Sequence, residues 1–387
     1  MKLKIQVGEN MDNSSLKNEV SKRLYEFYLS TYTNLKERFN ERKIVLFGAA
    51  LCGSRCLNQL KNMGLDISAV CDNNENKWGK TLEDIAIISP SELSEKYQDA
   101  IVIISVGFQW ADSIYNQLHE IGIECIIQHK YIDLYLEFIA LLSEYGYEKI
   151  NEYLLDVFDY FEDEKSREIL LIHFGLLIED DAFIQAQNIS FEKIKEPAYF
   201  LDNGKLLGSQ KVMIDCGAYI GDTLLDLVNR VGFKDFQEYI CFEFDQDNYN
   251  IFKQNISGLD ENIRKKIIAY NYGVGDREMR VYYCNNAINS TISEIGDKIA
   301  KIVKIDDYLK GKEVSFLKMD IEGSELAAIK GAEKVIKNNR PMCAISIYHN
   351  VRDFWEIPFA LRTIIPDYKF YLRKHTADWD DTVCYTR

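Results

Sequence analysis

Residues 211–223, Lys-Val-Met-Ile-Asp-Cys-Gly-Ala-Tyr-Ile-Gly-Asp-Thr, decide the fold. The apolar run from Lys211 to Asp215 predicts a buried strand, and Thr223 to Val231 predicts a helix. Between them, Gly217 permits a tight turn, and Gly217 with Gly221 lets backbone approach a ligand closely. Strand, glycine turn and helix in that order form the context a cofactor loop requires. A phosphate prefers a loop free of carboxylates, whereas this one carries Asp215 and Asp222. The loop therefore favours a cationic, sulfonium-type ligand over a pyrophosphate, with Asp215 at the strand end suited to an amino group.

The pattern continues on the C-terminal side. A strand from Tyr239 to Phe244 brings Glu243 to its end, followed by a helix from Gln246 to Asn255. A carboxylate there can accept both hydroxyls of a ribose, as an acid some 20 residues beyond the glycine turn does in dinucleotide folds. A third strand, Lys266 to Tyr272, leads to Gly273-Val274-Gly275-Asp276, a turn that can pack on an adenine. Met279 to Cys284 and Ala300 to Lys304 predict short strands around a loop rich in Asn, Ser and Thr. Ser315 to Met319 predicts a central strand running into Asp320-Ile321-Glu322-Gly323-Ser324-Glu325 and a helix from Ser324 to Asn338. Ser324 and Glu325 suit a helix cap. Asp320 and Glu322 do not, and they face the crevice where open α/β sheets bind ligands. Met342 to Tyr348 follows and delivers His349, while Tyr368 to Arg373 and Thr382 to Thr386 predict a closing antiparallel hairpin. Such a hairpin separates a methyltransferase sheet from a plain dinucleotide-binding one.

The N-terminal side repeats the alternation. Strands are predicted at Lys43 to Phe47, Ile67 to Cys71, Ala100 to Val106 and Glu124 to Gln128, with a helix from Ser54 to Met63. The expected organisation is an N-terminal helix (1–40), a Rossmann-like α/β domain (41–130), a helical connector (131–205) and a catalytic domain (206–387). The first loop, Gly48-Ala-Ala-Leu-Cys-Gly53, has alanine at the middle position of a dinucleotide fingerprint. Asp72 reads as a ribose acid or, more simply, as part of the polar loop Asp72-Asn73-Asn74, and a structural or substrate-presenting role for this domain is favoured over nucleotide binding.

Bulk properties narrow the partners. A formal net charge of −15 leaves little room for phosphate-driven binding of nucleic acid. The nine cysteines fall singly, with no Cys-x-x-Cys pair, so neither a zinc ribbon nor a dithiol motif is expected. No apolar run reaches membrane-spanning length and no signal-like leader opens the chain, which reads as cytoplasmic. Oligomeric state has no signal in the sequence.

Asp215-x-Gly-Ala-x-x-Gly-Asp, then Phe242-Glu243, then Lys318-x-Asp-Ile-Glu-Gly-Ser-Glu resembles the FkbM family of methyltransferases over about residues 198–387. The resemblance implies a class I fold, S-adenosylmethionine as cofactor, and methylation of a hydroxyl on a small molecule, often a sugar, glycan or polyketide. Carried over, Asp215, Gly217, Gly221 and Glu243 become cofactor contacts, and Asp320 and Glu322 line the reaction crevice. Ala218, Tyr219, Asp222, Thr223, Val274 and Asp320 complete the expected cofactor set, and Asp320, Glu322 and His349 are the candidate catalytic groups. The chain departs from the commonest pattern at Tyr219, where many members have Asn, and at Phe244-Asp245, which replaces a frequent proline step. It departs again at Ser346-Ile-Tyr-His349, where a glutamate is often seen. His349, with an unperturbed pKa of about 6.5, is the leading candidate base for an acceptor hydroxyl, and reads equally as a group that only hydrogen-bonds the cofactor or a loop. In a metal-assisted variant, Asp320, Glu322, His349 and Asn350 hold a divalent ion. Two other classes stay open: an NAD-dependent or nucleotide-sugar-binding protein using the N-terminal sheet, and a non-catalytic binding protein. The first lacks a Tyr-x-x-x-Lys pair near its loop.

Overall fold

The computed structural model describes residues 42–62, 64–106, 108–128, 144–178, 198–200 and 212–387, except 233–235, 287–288, 293–297, 310 and 376–380. It also describes scattered positions within 14–25 and 137–142. Most of the expected N-terminal helix (1–40), and parts of the expected connector (131–205), lie outside the described residues. The chain divides into two compact units, 1–151 with 172–189, and 152–171 with 190–387.

In the first unit β1 (Ile44–Phe47), β2 (Ile67–Cys71), β3 (Thr81–Leu82), β4 (Ile85–Ile88), β5 (Ile101–Ile104) and β6 (Cys125–Gln128) form one sheet, in the order β3-β4-β2-β1-β5-β6. All pairings are parallel except that of β3 with β4. Both faces of β1 are covered. Ile44 and Leu46 pack with Leu57, Leu60 and Ile103, while Val45 and Phe47 pack with Ile104 and Leu118. A strand buried on both faces is an unbroken apolar run, which is why Ile-Val-Leu-Phe is legible in the sequence. The sequence reading lacks β3 and β4. The turn between them is made by Glu83 and Asp84 at φ of +46° and +70°, with no glycine to announce it.

The second unit contains β7 (Val212–Cys216), β8 (Glu238–Phe242), β9 (Ile267–Tyr270), β10 (Gly273–Val274), β11 (Met279–Asn286), β12 (Asn289–Ile292), β13 (Lys298–Val303), β14 (Val314–Met319), β15 (Met342–Ser346), β16 (Phe370–Lys374) and β17 (Thr382–Thr386). Seven of these form a sheet in the order β16-β17-β15-β14-β7-β8-β9, and four more form β10-β13-β11-β12. In the large sheet β14, β15, β7, β8 and β9 are parallel, and β17 runs antiparallel to both β15 and β16. The mixed α/β architecture with its closing antiparallel hairpin is therefore as expected. Strand order reverses at β7: β8 and β9 lie to one side, β14 and β15 to the other. Such a reversal opens a crevice at the carboxyl ends of the strands.

Three local features differ from the sequence reading. The Asn-rich loop contains β12. The helix expected from Ser324 to Asn338 is two helices, Glu325–Gly331 and Glu333–Asn339. The second has its own anchor, because the Asp306 carboxylate accepts from the backbone N–H of Lys334 (3.1 Å) and Val335 (2.9 Å). A helix at Asp353–Ile364, with Pro358 inside it, was not anticipated. Among the described residues no helix is long and apolar enough to cross a membrane, and the cysteines described are free and, except Cys52, buried.

Candidate active site

The crevice at the β7/β14 switch point holds a cavity of about 290 Å³. Its wall includes Gly217, Tyr219, Asp222 and Thr223 from the loop after β7, and Phe242, Glu243, Phe244 and Asn248 from β8 onward. Tyr272, Gly273 and Val274 follow β9, and Lys318, Asp320, Ile321 and Glu322 follow β14, with Tyr199 alongside. Of the expected cofactor contacts, Asp215, Ala218 and Gly221 are not on this wall.

The glycine turn is shaped by protein packing. Gly217 sits at φ +82°, and a Cβ on it would lie 1.9 Å from the Asp320 carbonyl oxygen. Side-chain-free backbone is what lets the β7 loop abut the end of β14. Gly221, at φ +88°, faces the Phe252 ring, which a Cβ would meet at 2.9 Å. Phe252 is 1% exposed, a burial worth roughly 1.5–3 kcal/mol to the fold. The backbone N–H groups of Gly217 and Ala218 both donate to the Phe242 carbonyl, at 3.0 and 3.1 Å.

Glu243 stands on the wall with each oxygen held. Tyr219 N–H donates to Oε2 and Asp245 N–H to Oε1, both at 2.8 Å. Burial outweighs these donors and pushes its pKa up to about 7. Asp245, one of the departures from the family pattern, caps the helix Gln246–Ser257 by accepting from Asp247 N–H and Asn248 N–H at 2.8 and 2.9 Å. Asn271 Nδ2 donates to the Glu243 carbonyl at 2.9 Å and braces the same corner.

Asp215 is not on the cavity wall. It is fully buried and pairs with Lys318 Nζ at 2.9 Å, and the Tyr239 hydroxyl donates to its other oxygen. Lys318 also donates to the Gly217 carbonyl at 2.7 Å. Burial works against the ammonium, but Asp215 and then Asp320 outweigh it and hold the lysine charged. The direct contact with an amino group expected of Asp215 is replaced by an internal lysine.

Asp320 and Glu322 are on the wall, with His349 behind them. Asp320 accepts from the Tyr199 hydroxyl at Oδ2 (2.7 Å) and from the Tyr348 hydroxyl at Oδ1 (3.1 Å). His349 Nε2 is 3.6 Å from Asp320 Oδ1 and 3.8 Å from Glu322 Oε2, and Nδ1 is 3.0 Å from Glu325 Oε1. Burial opposes charge on the ring, but Glu325 first, then Asp320 and Glu322, raise its pKa to about 9. The near-neutral base expected of His349 is therefore a protonated ring at pH 7. Asn350 is directed elsewhere, donating through Nδ2 to Asp353 Oδ2 at 2.8 Å.

Glu325, Tyr199, Tyr348 and Lys318 were missed as site residues. The sequence position of Glu325 suits a cap, yet Ser324 makes no capping hydrogen bond, and Glu325 is wholly buried, accepting from Ile321 N–H at 2.7 Å. Tyr199 comes from an unpatterned segment and offered no signal. Three non-glycine wall residues have left-handed backbone: Tyr199 (φ +72°), Tyr219 (+46°) and Glu322 (+55°).

In the first unit the Gly48 loop is closed on itself. A Cβ on Gly53 would meet the Gly48 carbonyl at 1.9 Å. Asp72 Oδ2 accepts from Ala49 N–H and from Lys77 Nζ, each at 2.8 Å, and Oδ1 accepts from Asn74 N–H. Its carboxylate is thus engaged by the protein itself, which does not favour the nucleotide reading.

Residues 215–373 match the family model of the methyltransferase FkbM domain, and residues 40–126 match the model described as C2185-like, N-terminal. The crystal structure of the methyltransferase FkbM from Methylobacillus flagellatus KT is similar at a TM-score of 0.69 and 21% identity, over 97% of this chain and 100% of that one. A UDP-D-quinovosamine 4-dehydrogenase from Vibrio fischeri aligns with 22% of this chain and 76% of its own at 21% identity, TM-score 0.20. An rRNA methylase from Streptococcus thermophilus aligns with 46% and 86% at 11% identity, TM-score 0.29. No curated protein matches the chain.

Proposed function

We propose that this chain, whose residues 215–373 carry a methyltransferase FkbM domain, uses S-adenosylmethionine to methylate a hydroxyl group on a sugar, glycan or related small metabolite. The observation that carries the reading is Glu243: a carboxylate on the cavity wall whose two oxygens are oriented by backbone N–H donors, at the strand end where a ribose is held in related sheets. The rest of the wall fits the same cofactor. Phe244, Tyr272 and Val274 offer flat or apolar surface for an adenine, and Asp222, Glu243, Asp320 and Glu322 give the cavity an acidic cast suited to a sulfonium.

When bound, the cofactor supplies a methyl group on a positively charged sulfur, open to in-line attack. The chain's part is alignment, and holding donor and acceptor in reacting geometry supplies much of such a rate enhancement. Tyr199 and Tyr348 fix the Asp320 carboxylate, whose pKa stays below the ordinary carboxylate range. Burial opposes that shift, but Lys318, His349 and the tyrosine donor exceed it. Asp320 is therefore an ionised acceptor for a hydrogen bond from an incoming hydroxyl, with Glu322 also on the cavity wall. The net charge of −15 supports a small, non-nucleic-acid acceptor, and free cysteines support a reducing, cytoplasmic setting.

Calorimetric titration of S-adenosylmethionine into the full chain tests the reading. Micromolar binding that Glu243→Ala abolishes, in a variant that keeps its fold by circular dichroism, is the expected result. A wild-type protein without measurable binding overturns it.

A further inference from the structure

We propose that the acid–imidazole cluster beside the cavity is a divalent-cation site, with His349 Nε2, Asp320 Oδ1 and Glu322 Oε2 as its protein ligands. His349 Nε2 lies 3.6 Å from Asp320 Oδ1 and 3.8 Å from Glu322 Oε2. A four-coordinate ion with bonds of about 2.1 Å has ligand-to-ligand edges of roughly 3.4 Å. Both edges that run from the imidazole are within a few tenths of an ångström of that value. Asp320, Glu325 and His349 also bring one donor atom each within 4.8 Å of one another, about the span of a single coordination sphere.

Two further observations point to a cation. The His349 side chain is only 9% exposed, yet neither ring nitrogen has an aligned hydrogen-bond partner. Glu325 is wholly buried, and its Oε2 likewise has none. Buried polar atoms left unpaired are uncommon, and each calls for a physical reason. An ion on Nε2 displaces the proton that the surrounding carboxylates favour and gives that nitrogen a partner. Glu325 then plays the part usual around a ligating histidine, a carboxylate on the far nitrogen that orients the ring. The Tyr199 and Tyr348 hydroxyls orient the ligating aspartate in the same manner.

One imidazole with two carboxylates suits Mn2+, Fe2+ or Zn2+ better than the all-oxygen preference of Ca2+ or the water-rich sphere of Mg2+. Three protein ligands leave a position open, and Asp320 and Glu322 both stand on the cavity wall, so that position adjoins the cavity. Ion binding stands apart from methyl transfer. Its use, to hold and polarise an acceptor hydroxyl, rests on the function proposed above.

The test is calorimetric and electron-paramagnetic titration of Mn2+ into full-length protein stripped with chelator, with Zn2+ as second probe. One ion per chain is expected. His349→Ala and Asp320→Asn should each weaken binding at least tenfold, and Glu325→Gln about 10–100-fold. Glu322→Gln, at a half-exposed position, should fold normally and still weaken it. Glu243→Gln should leave ion binding unchanged while impairing S-adenosylmethionine binding, so the two proposals fail separately. Absence of stoichiometric Mn2+ and Zn2+ binding overturns the site. So does wild-type affinity in folded Asp320→Asn and Glu322→Gln variants.

Discussion

Asp215 and Lys318 are direct cross-strand partners in the parallel pair β7–β14, and their charges meet 2.9 Å apart with side chains 0% and 3% exposed. The pair also ties the glycine turn to the central strand, since the same ammonium donates to the Gly217 carbonyl. Removing one member of a buried pair strands the other charge, at a cost of about 3–5 kcal/mol. Asp215→Asn should therefore lower the midpoint of urea unfolding of the second unit substantially. A midpoint matching wild type would remove the structural role given to the pair. It also follows that Asp215→Ala is a poor probe of cofactor affinity, because the fold responds first.

Glu243 sets a pH dependence. Its pKa in the empty protein is about 7, and only the ionised form can accept from both ribose hydroxyls through both oxygens. Affinity for S-adenosylmethionine should be level above about pH 8 and should fall towards tenfold per unit below pH 7. Calorimetry between pH 5.5 and 8.5 checks this, and Glu243→Gln should bind weakly with a flat profile. A flat wild-type profile would sink the ribose assignment. The sign for stability is opposite. Folded Glu243 keeps its proton up to about pH 7, while the unfolded side chain releases it near 4.5. Its contribution to stability therefore declines as pH rises through that window and is constant outside it.

Tyr199→Phe removes the donor to Asp320 Oδ2 with little change of volume. A hydrogen bond to a charged group contributes about 1.5–3 kcal/mol, so a comparable loss of stability is expected by denaturant titration. Tyr348→Phe should cost less, because its 3.1 Å contact is longer and its ring less buried. Equal effects from the two would show that Asp320 is held by something else.

Gly217→Ala should fail to yield folded protein, or melt far below wild type, because its Cβ would stand 1.9 Å from a backbone carbonyl. Gly311 is the control: also left-handed at φ +76°, but with nothing within 4 Å of an added Cβ. Gly311→Ala should cost only about 1–2 kcal/mol, the backbone penalty alone. Similar melting temperatures for the two variants would contradict the packing account.

The strands were legible because β1 and β7 are buried along their length and so appear as largely apolar runs, while Gly217 and Gly221 mark the turn that follows β7. The acids at strand ends, Glu243, Asp320 and Glu322, were legible for the same reason, since position along a strand fixes which end of the sheet they occupy. What the sequence does not encode locally is pairing across the sheet. Nothing in Asp215's neighbourhood announces Lys318, 103 residues later, and only the β7–β14 register brings them together. Glu325 was hidden by a plausible local role, a helix cap, that its tertiary partner His349 overrides. Tyr199 belongs to no periodic segment, so its place against Asp320 comes from the fold alone.

The left-handed backbone at Tyr199, Tyr219 and Glu322 has a bearing on engineering. Such positions are the first that a designer seeking a hardier protein would convert to glycine or relax, and each change should raise the melting temperature modestly. All three border one cavity, however, and their strain keeps its wall in a single shape before any ligand arrives. A sturdier variant made this way would trade a ready-made receptacle for one that must be moulded at every encounter.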